Sequence, residues 1–317
     1  MTLVTLIGGG GFVGRYVAQA LMRQGARVRI AQRDPRQAFF LKPLGGLGQT
    51  QFVAADVTRP DTIARAVAGA DAVVNLAGTF GAGMARVQAD GAGAVAAAAA
   101  RAGVSRLVHL SAIGADAGSP ALYGRSKAAG EAAVRAAFPG ATIVRPSTVF
   151  GREDQFVNRF ARMIETASNL PFAPVPVLRA PVRFQPVFVG DVADAVAALL
   201  GDEPAARERA AGATVELGGP DVLTMGELYA WIAATIGRRV NLIELPDMLG
   251  SLIARLPASP ISQDQWLMLQ RDNIVAPGAA GLAMLGVTPT PLAAVAPHWL
   301  VQFRRKGRFG DPAHNLA

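Results

Sequence analysis

Residues 3–21 read LVTLIGGGGFVGRYVAQAL, and this stretch decides the fold. An apolar run typical of a buried β-strand leads into four glycines and then into a helical pattern. Gly8, Gly11 and Gly14 stand three residues apart. Glycine lets the backbone turn sharply and lets an anion approach the N–H groups at a helix start. The stretch therefore predicts a strand, a tight turn and a helix whose N-terminus binds an anion.

The same succession of strand and helix patterns continues to about Pro146. Short apolar runs alternate with helix-length segments, and the runs read LVTLI, RVRIA, TQFVA, DAVVNL, RLVHL and TIVRP. This alternation predicts an α/β fold, a doubly wound parallel sheet of the Rossmann type with helices on both faces. Ligands of such sheets bind beyond the carboxyl ends of the strands.

The alternation of strand and helix patterns ends before the proline-rich segment LPFAPVPVLRAPVRFQPVFV, residues 170–189. We predict a nucleotide-binding domain over residues 1–150, to which residues 185–201 return, and a smaller, mainly helical C-terminal lobe over 151–184 and 202–317. Within the lobe, Thr224 and Glu227 have the spacing of a helix capping box, and amphipathic helices are expected near 246–256 and 262–271. The basic tail, FRRKGRFGDPAHNLA, is expected to end in mobile residues.

The composition of the 317-residue chain excludes several kinds of site. There is no cysteine, which excludes disulfides, thiolate metal sites and cysteine-bound iron–sulfur clusters. The three histidines, His109, His298 and His314, are scattered and stand beside no carboxylate cluster, so we expect no metal site. With 51% apolar residues the chain can bury a large core.

Charge and hydropathy indicate where the protein works. A net charge of +8 predicts an acidic partner, either anionic lipid headgroups or a phosphorylated ligand. We expect no nucleic acid, because no nucleic-acid-binding module is recognisable. Met1 leads directly into the first strand without a signal-peptide pattern, and no apolar run reaches the length of a transmembrane segment. These features favour a cytoplasmic location.

Small and polar residues follow successive strands and fit a dinucleotide beyond the sheet edge. The glycine turn would receive the pyrophosphate at the helix N-terminus. Asp56 and Val57 follow the third strand, where they can meet an adenine amino group and ring face. Asn75, Ala77 and Gly78 follow the fourth strand and fall near the ribose on the nicotinamide side.

The residues after the second strand bear on the choice between NAD and NADP. The sequence there is AQRDP, so Gln32 and Arg33 stand where an NAD-binding protein carries an acidic residue. Arg15 follows the last motif glycine, and two guanidinium groups can hold a 2′-phosphate. We therefore predict NADP(H). NAD(H) stays open, because a shift of one residue would make Asp34 a ribose ligand and Arg33 a surface charge.

The stretch SPALYGRSKAAGE, residues 119–131, places Tyr123 four residues before Lys127. A helix stacks the two side chains on one face, where the ammonium group can lower the pKa of the phenol for proton transfer. Ser111 is the hydroxyl residue closest to the end of the fifth strand and would have to bind the substrate carbonyl. The alternative is a partly buried Tyr123 and a surface Lys127 that pairs with Glu131.

In order along residues 1 to about 200, the glycine motif, Asp56-Val57, NLAG, LVHLSAIG, YGRSK, RPSTVFG and QPVFVGDVA resemble the extended short-chain dehydrogenase/reductase superfamily. The resemblance implies a Rossmann fold and catalytic roles for Tyr123, Lys127 and Ser111. It also implies a set of nucleotide contacts: Gly8, Gly11, Phe12, Val13, Gly14, Arg15, Arg33, Asp56, Val57, Asn75, Ala77, Gly78, Lys127, Pro146 and Val149.

Three further strings, IVRPSTVFGREDQFVNRFARM, FQPVFVGDVADAV and ELGGPDVLT, are similar to the NADPH-binding accessory subunit of respiratory complex I and its bacterial relatives. This narrower resemblance implies a tightly held, structural nucleotide and partners in the peripheral arm of the complex. It also implies a place on the cytoplasmic face of the inner membrane, where the basic tail would suit anionic lipid headgroups.

A second function stays open. Tyr123 and Lys127 equally fit a free reductase, epimerase or dehydratase that acts on a nucleotide sugar or another carbonyl compound. Arg152, Arg179, Arg183 and Gln185 of the lobe can meet an acidic substrate, or Arg183 and Gln185 can instead fix the lobe to the core.

Overall fold

A computed structural model describes residues 2–169, 174–201, 210–256, 261–305 and 307 of the chain. They form two compact units. The first unit comprises Met1–Pro146, Val189–Leu217 and Val275–Thr288, and the second comprises Ser147–Phe188, Gly218–Ile274 and Pro289–Ala317. Neither unit is therefore one continuous stretch of sequence.

A seven-stranded sheet forms the centre of the first unit. Its strands are β1 Leu3–Ile7, β2 Arg27–Gln32, β3 Thr50–Ala54, β4 Ala72–Asn75, β5 Arg106–Leu110, β6 Thr142–Pro146 and β11 Thr214–Leu217. They pair in parallel in the order β11-β6-β5-β4-β1-β2-β3. Since β1 has β2 on one side and β4 on the other, the strand order reverses at β1, where doubly wound sheets bind ligands. The predicted Rossmann-type fold is confirmed.

Helices flank this sheet. They are α1 Phe12–Arg23, α2 Pro60–Val67, α3 Gly91–Arg101, α4 Leu122–Ala137 and α6 Val189–Leu200, with 3₁₀ segments at Pro35–Leu44 and Leu282–Leu285 and a π-helical turn at Arg86–Asp90. The alanine-rich α3 packs closely on α4 because its side chains are small: a Cβ at Gly93 would lie 3.0 Å from that of Ala133. Fully buried Val73, Val95 and Ile143 belong to the apolar core beneath these helices.

The second unit contains short strands and helices. The strands are β7 Val149–Phe150, β8 Pro174–Leu178, β9 Arg183–Phe184, β10 Val187–Phe188, β12 Leu223–Thr224 and β13 Asn241–Leu245. They form three two-stranded sheets that pair β7 with β10, β9 with β12 and β8 with β13. The helices are α5 Val157–Ser168, α7 Met225–Thr235, α8 Asp247–Ile253, α9 Gln263–Met268, α10 Leu292–Val295 and α11 Pro297–Leu300, followed by a 3₁₀ turn at Val301–Phe303.

Of the local predictions for the second unit, the capping box is found, and the two amphipathic helices are found but are shorter than predicted. The capping box at the start of α7 is confirmed, because Thr224 Oγ1 accepts from Glu227 N at 3.1 Å and Glu227 Oε2 accepts from Thr224 N at 2.8 Å. The helices expected over 246–256 and 262–271 are shorter, at Asp247–Ile253 and Gln263–Met268. A helical apolar pattern continues past the last helical hydrogen bond, so the pattern alone extends a helix too far.

The sequence assigned residues 202–317 to the smaller lobe, whereas β11 pairs with β6 in the main sheet. Four residues of alternating burial are a weak local signal, and this pairing joins segments far apart in the chain. Most of the basic tail and the start of the proline-rich segment, residues 170–173, lie outside the described residues. None of the helices in the described part of the chain combines the length and apolarity that crossing a bilayer requires.

Candidate functional site

The glycine turn between β1 and α1 leaves no room for side chains. Gly8 has a φ of +83°, and a Cβ on Gly14 would lie 2.6 Å from the carbonyl oxygen of Gly9. Gly11 caps α1 without a side-chain hydrogen bond, and no acidic residue stands in the first helical turn, all of which the structure describes. The positive end of the helix and its N–H groups can therefore receive a phosphate.

The ends of β1 and β4 come together at this turn. A Cβ on Gly8 would lie 3.2 Å from the carbonyl carbon of Leu76, so the two chain segments touch. Asn75 Oδ1 accepts from the N–H of Ala77 at 3.1 Å and thereby shapes the NLAG segment. Gly78 is exposed beyond it. The predicted ribose-side residues Asn75, Ala77 and Gly78 thus form one turn at the carboxyl edge of the sheet.

Asn75 also belongs to a buried polar pair with His109 on the neighbouring strand β5. Asn75 Nδ2 lies 3.1 Å from His109 Nδ1. Burial, together with the nearby charge of Lys127, lowers the pKa of His109 to about 3. At neutral pH the ring is therefore uncharged. With Nδ1 accepting from the amide, the proton lies on Nε2.

Lys127 is buried, with 6% of its surface exposed, and does not lie on the protein surface. Its Nζ donates to the carbonyl oxygen of Leu110 at 3.1 Å, and a Cβ on Gly78 would lie 3.8 Å from it. Burial lowers the pKa of Lys127 to about 8. The alternative of a surface lysine is therefore wrong, and the ammonium group stands beside the ribose-side turn.

Tyr123 lies one helical turn before Lys127 in α4, as the spacing predicts, but the expected effect on its pKa is absent. Burial raises the pKa of Tyr123 to about 12. Lys127 Nζ is 5.8 Å from the centre of the phenol ring. The ring of Phe80 stacks on Tyr123 with 4.8 Å between centres and 7° between planes. Desolvation therefore outweighs the ammonium group here.

Ser111 is buried and turned toward a charged network. Its Oγ donates to Glu131 Oε1 at 2.5 Å. The same carboxylate accepts two hydrogen bonds from Arg145, at 2.8 and 2.7 Å, and Arg145 also reaches Glu216 at 3.6 Å. The hydroxyl that a reductase would use to hold a substrate carbonyl is thus committed to a carboxylate. No local pattern in the sequence indicates this network, because its members come from four separate segments of the chain.

The segment after β2 contains the predicted 2′-phosphate contacts. Arg33 is exposed at the end of the strand. Asp34 accepts from Arg36 N at 3.1 Å and from Arg36 Nε at 3.0 Å, and it caps the 3₁₀ segment Pro35–Leu44. Arg15 Cζ lies 4.6 Å from the ring centre of Phe40. Asp34 therefore has a structural role, while two guanidinium groups stand near the glycine turn and β2.

The remaining predicted nucleotide contacts lie after β3, in the first turn of α1, at the end of β6 and in β7. Asp56 Oδ1 accepts from the backbone N–H and the hydroxyl of Thr58, which keeps the pKa of Asp56 below its usual value. Val57 packs where a side chain at Gly91 would meet it at 2.8 Å. Phe12 and Val13 are half-buried in the first turn of α1. Pro146 ends β6, and Val149 lies in β7 of the second unit.

The string FGREDQFVNRF forms a closed turn inside the second unit. Asp154 accepts from the N–H groups of Gly151, Phe156 and Asn158, and Asn158 Nδ2 donates back to the carbonyl of Arg152 at 3.0 Å. Of the polar residues left open in the lobe, Arg183 pairs with Asp272, Arg179 with Asp247, and Gln185 with the carbonyl of Gly219. These contacts hold the second unit together.

Comparison with known proteins agrees with this geometry. The model of the NAD dependent epimerase/dehydratase family matches residues 4–210. The chain belongs to this family. It is 35% identical to the rat mitochondrial NADH dehydrogenase (ubiquinone) 1 alpha subcomplex subunit 9, over 92% of this chain and 77% of the rat protein. It is 34% identical to a ceramide reductase of Caulobacter vibrioides, over 77% of this chain and 74% of that protein.

Among solved structures, a NADPH-dependent quinone oxidoreductase of Escherichia coli superimposes with a TM-score of 0.73 at 18% identity, covering 93% of this chain and 99% of the other. At that identity the likeness shows the fold alone. The family supports a nicotinamide dinucleotide as the cofactor. So do the glycine turn and the start of α1, whose first N–H groups no side chain caps. The predicted membership of the short-chain dehydrogenase/reductase superfamily and the likeness to the complex I subunit are both confirmed.

Proposed function

We propose that this protein is an accessory subunit of respiratory complex I that holds NADP(H) as a structural element. The observation that carries the proposal is the extent of the likeness. Subunit 9 from rat and from Arabidopsis thaliana matches 92% and 98% of this chain at 35% and 32% identity, so the likeness spans both units.

The site supports a held nucleotide more than a turnover site. Ser111 is committed to Glu131, and Tyr123 has a pKa raised to about 12 beneath the ring of Phe80. A general acid works best with a pKa near the working pH, and a substrate carbonyl needs a hydroxyl to position it. Lys127, in contrast, keeps its place beside the Gly78 turn, where it can bind a ribose hydroxyl.

NADP(H) is the favoured nucleotide. The glycine turn would hold the pyrophosphate on the N–H groups of α1, and Arg15 and Arg33 would hold the 2′-phosphate. Asp34, the residue through which NAD(H) binding stayed possible, caps the 3₁₀ segment and accepts hydrogen bonds from Arg36. An engaged carboxylate binds a ribose hydroxyl less well, and a neighbouring 2′-phosphate suits the arginines.

The proposed partners are subunits of the peripheral arm of complex I. The basis for this assembly is that the mitochondrial relatives are subunits of NADH dehydrogenase (ubiquinone). A peripheral place on the cytoplasmic face of the inner membrane follows from it, and the net charge of +8 suits anionic lipid headgroups there.

Two measurements test the proposal in the native host. Membranes solubilised in mild detergent are separated on a native gel, and the protein is located with an antibody. We expect it to comigrate with NADH dehydrogenase activity. Nucleotide released from freshly purified protein is identified by mass and its exchange is timed. Slowly released NADPH is expected, while migration only as a free species with fast exchange would contradict the proposal.

A second candidate function is an NAD(P)-dependent reductase. The Caulobacter vibrioides ceramide reductase, 34% identical, and the retained Tyr123–Lys127 pair favour it. A bound nicotinamide would supply hydride in such a reaction, and Tyr123 would supply the proton. NADPH consumption is measured with carbonyl-bearing lipids and with nucleotide sugars. Turnover that is lost in Tyr123→Phe would establish this function, and absence of turnover with every class of carbonyl would remove it.

A further inference from the structure

Two neighbouring phenylalanines protrude from the 3₁₀ segment Pro35–Leu44. Phe39 and Phe40 are 40% and 43% exposed, although the residues on either side of them, Ala38 and Leu41, are fully buried. Ala38 packs against the glycine turn, since a Cβ on Gly10 would lie 2.8 Å from the Cβ of Ala38. Ala38 and Leu41 thus anchor the segment, which leaves the two aromatic rings to be explained by something other than the core.

A cationic side chain lies over each ring, but the two rings contact different elements. Lys42 Nζ lies 3.6 Å from the ring centre of Phe39, and that ring packs edge-on against Phe52 of β3. Arg15 Cζ lies 4.6 Å from the ring centre of Phe40, and Arg15 belongs to the first turn of α1. Only the second pair joins the segment to the glycine motif.

We propose that Phe40 is a positioning residue for Arg15, and that this pair sets the preference for a 2′-phosphorylated dinucleotide. The inference rests on the proposed binding of NADP(H). A guanidinium group stacks on an aromatic ring through its face and donates hydrogen bonds from its edge at the same time. Stacking on Phe40 therefore orders Arg15 before the ligand arrives, without using the donors that a phosphate needs.

The advantage of this arrangement is preorganisation. An arginine side chain has many rotamers, and a ligand that must order it loses affinity. The gain applies to a ligand that Arg15 touches with its edge, namely the 2′-phosphate. A dinucleotide that carries a free 2′-hydroxyl has no group for a charge-assisted bidentate contact, so its affinity is insensitive to the stack.

The experiment uses full-length protein from which bound nucleotide has been removed, and it measures binding of adenosine 2′,5′-bisphosphate and of 5′-AMP by calorimetry. The two probes differ only in the 2′-phosphate. In Phe40→Leu we expect the bisphosphate to bind about two- to five-fold more weakly, the range of an exposed cation–aromatic contact. Binding of 5′-AMP stays unchanged. Phe40→Tyr, which keeps the aromatic ring, retains the wild-type ratio. Phe39→Leu, which removes the contacts with Lys42 and Phe52 and leaves the Arg15–Phe40 pair in place, is the matched control.

A double-mutant cycle separates positioning from general packing. Arg15→Ala weakens the bisphosphate by about ten-fold or more, the range of a charged hydrogen bond. On that background Phe40→Leu is expected to have no further effect on the ratio of the two affinities. Additive effects, equal weakening of both probes, or an equal effect of Phe39→Leu would overturn the inference. If the wild-type protein binds neither probe, the proposed function itself fails, and the inference fails with it.

Discussion

At the scale of single residues, the buried charges decide what the site can do. Lys127 and His109 are both buried at the carboxyl edge of the sheet, and burial lowers the pKa of both. The pKa of His109 falls from 6.5 to about 3, with the charge of Lys127 adding to the effect of burial, and that of Lys127 falls from 10.5 to about 8, with the charge of Glu131 opposing it. Local sequence identified Lys127 through its spacing from Tyr123. It could not show that Glu131 turns to Arg145, since that contact depends on how α4 packs on β6.

Acid should destabilise the protein through His109. Its pKa is about 3 when folded and 6.5 in an exposed chain, so the unfolded state binds an extra proton between those values and stability falls as the pH is lowered through that window. From pH 7 to pH 5 we expect a loss on the order of 2 kcal/mol from this group. Urea unfolding of wild type and His109→Gln at both pH values measures it. The variant lacks this component, whereas His298→Gln, at an exposed site, retains it.

The buried carboxylate of Glu131 should matter more than surface ion pairs. Arg145→Met removes both guanidinium hydrogen bonds to that carboxylate, and loss of one partner of a buried pair costs about 3 kcal/mol or more. Asp61→Asn, which breaks the exposed pair with Arg65, is the control and should cost less than about 1 kcal/mol. Equal effects in denaturant titrations would show that the Glu131 network contributes little.

At the scale of elements, the turn from β1 to α1 explains why its pattern is so informative. Its glycines are required by contacts within the turn itself and with the end of β4, so the constraint appears directly in local sequence. The segment after β2 is the opposite case. Phe39 and Phe40 look like core residues in a helical pattern, and only the packing of Ala38 and Leu41 turns them outward. Sequence reasoning therefore missed Phe40, as it missed Phe80.

Gly14→Ala tests the turn as an element. The added methyl group would lie 2.6 Å from the Gly9 carbonyl oxygen, so the helix start must shift away from the turn. We expect a loss of about 1 to 3 kcal/mol in stability, and a loss of NADPH binding. Gly46→Ala is the matched control, because the nearest atom would lie 3.7 Å away. Unchanged NADPH affinity in Gly14→Ala, measured by fluorescence titration, would contradict the assignment of this turn to the pyrophosphate.

At the scale of the whole molecule, a nucleotide that serves structure should act as a stabiliser. The first unit is built from three separate stretches of the chain, two of which supply the strands of its sheet, and the proposed site lies at the carboxyl edge of that sheet. Anything that binds only the folded state stabilises it by mass action. The magnitude of that stabilisation reports the affinity for each nucleotide.

Thermal unfolding measures this effect. At one hundred times the dissociation constant, NADPH should add about 2.7 kcal/mol, with a rise in Tm on the order of 5 °C. NADH at the same concentration should add less. Lys127→Met should shrink the NADPH shift without lowering the ligand-free Tm at pH 7, because burial already disfavours the ammonium group there. A variant that loses ligand-free stability but keeps the full shift would mean that Lys127 supports the fold and not the nucleotide.

The sequence by itself determined the Rossmann-type sheet, the glycine cradle, the Tyr123–Lys127 spacing and the family, because each is written in residues that are neighbours in the chain or that recur at a helix or strand period. Only the tertiary structure decided that β11 joins the main sheet, that Ser111 is committed to Glu131, that desolvation raises the pKa of Tyr123, and that the Arg15 guanidinium group lies over the ring of Phe40. These features arise where separate elements meet, and both burial and the distance between charges are set there.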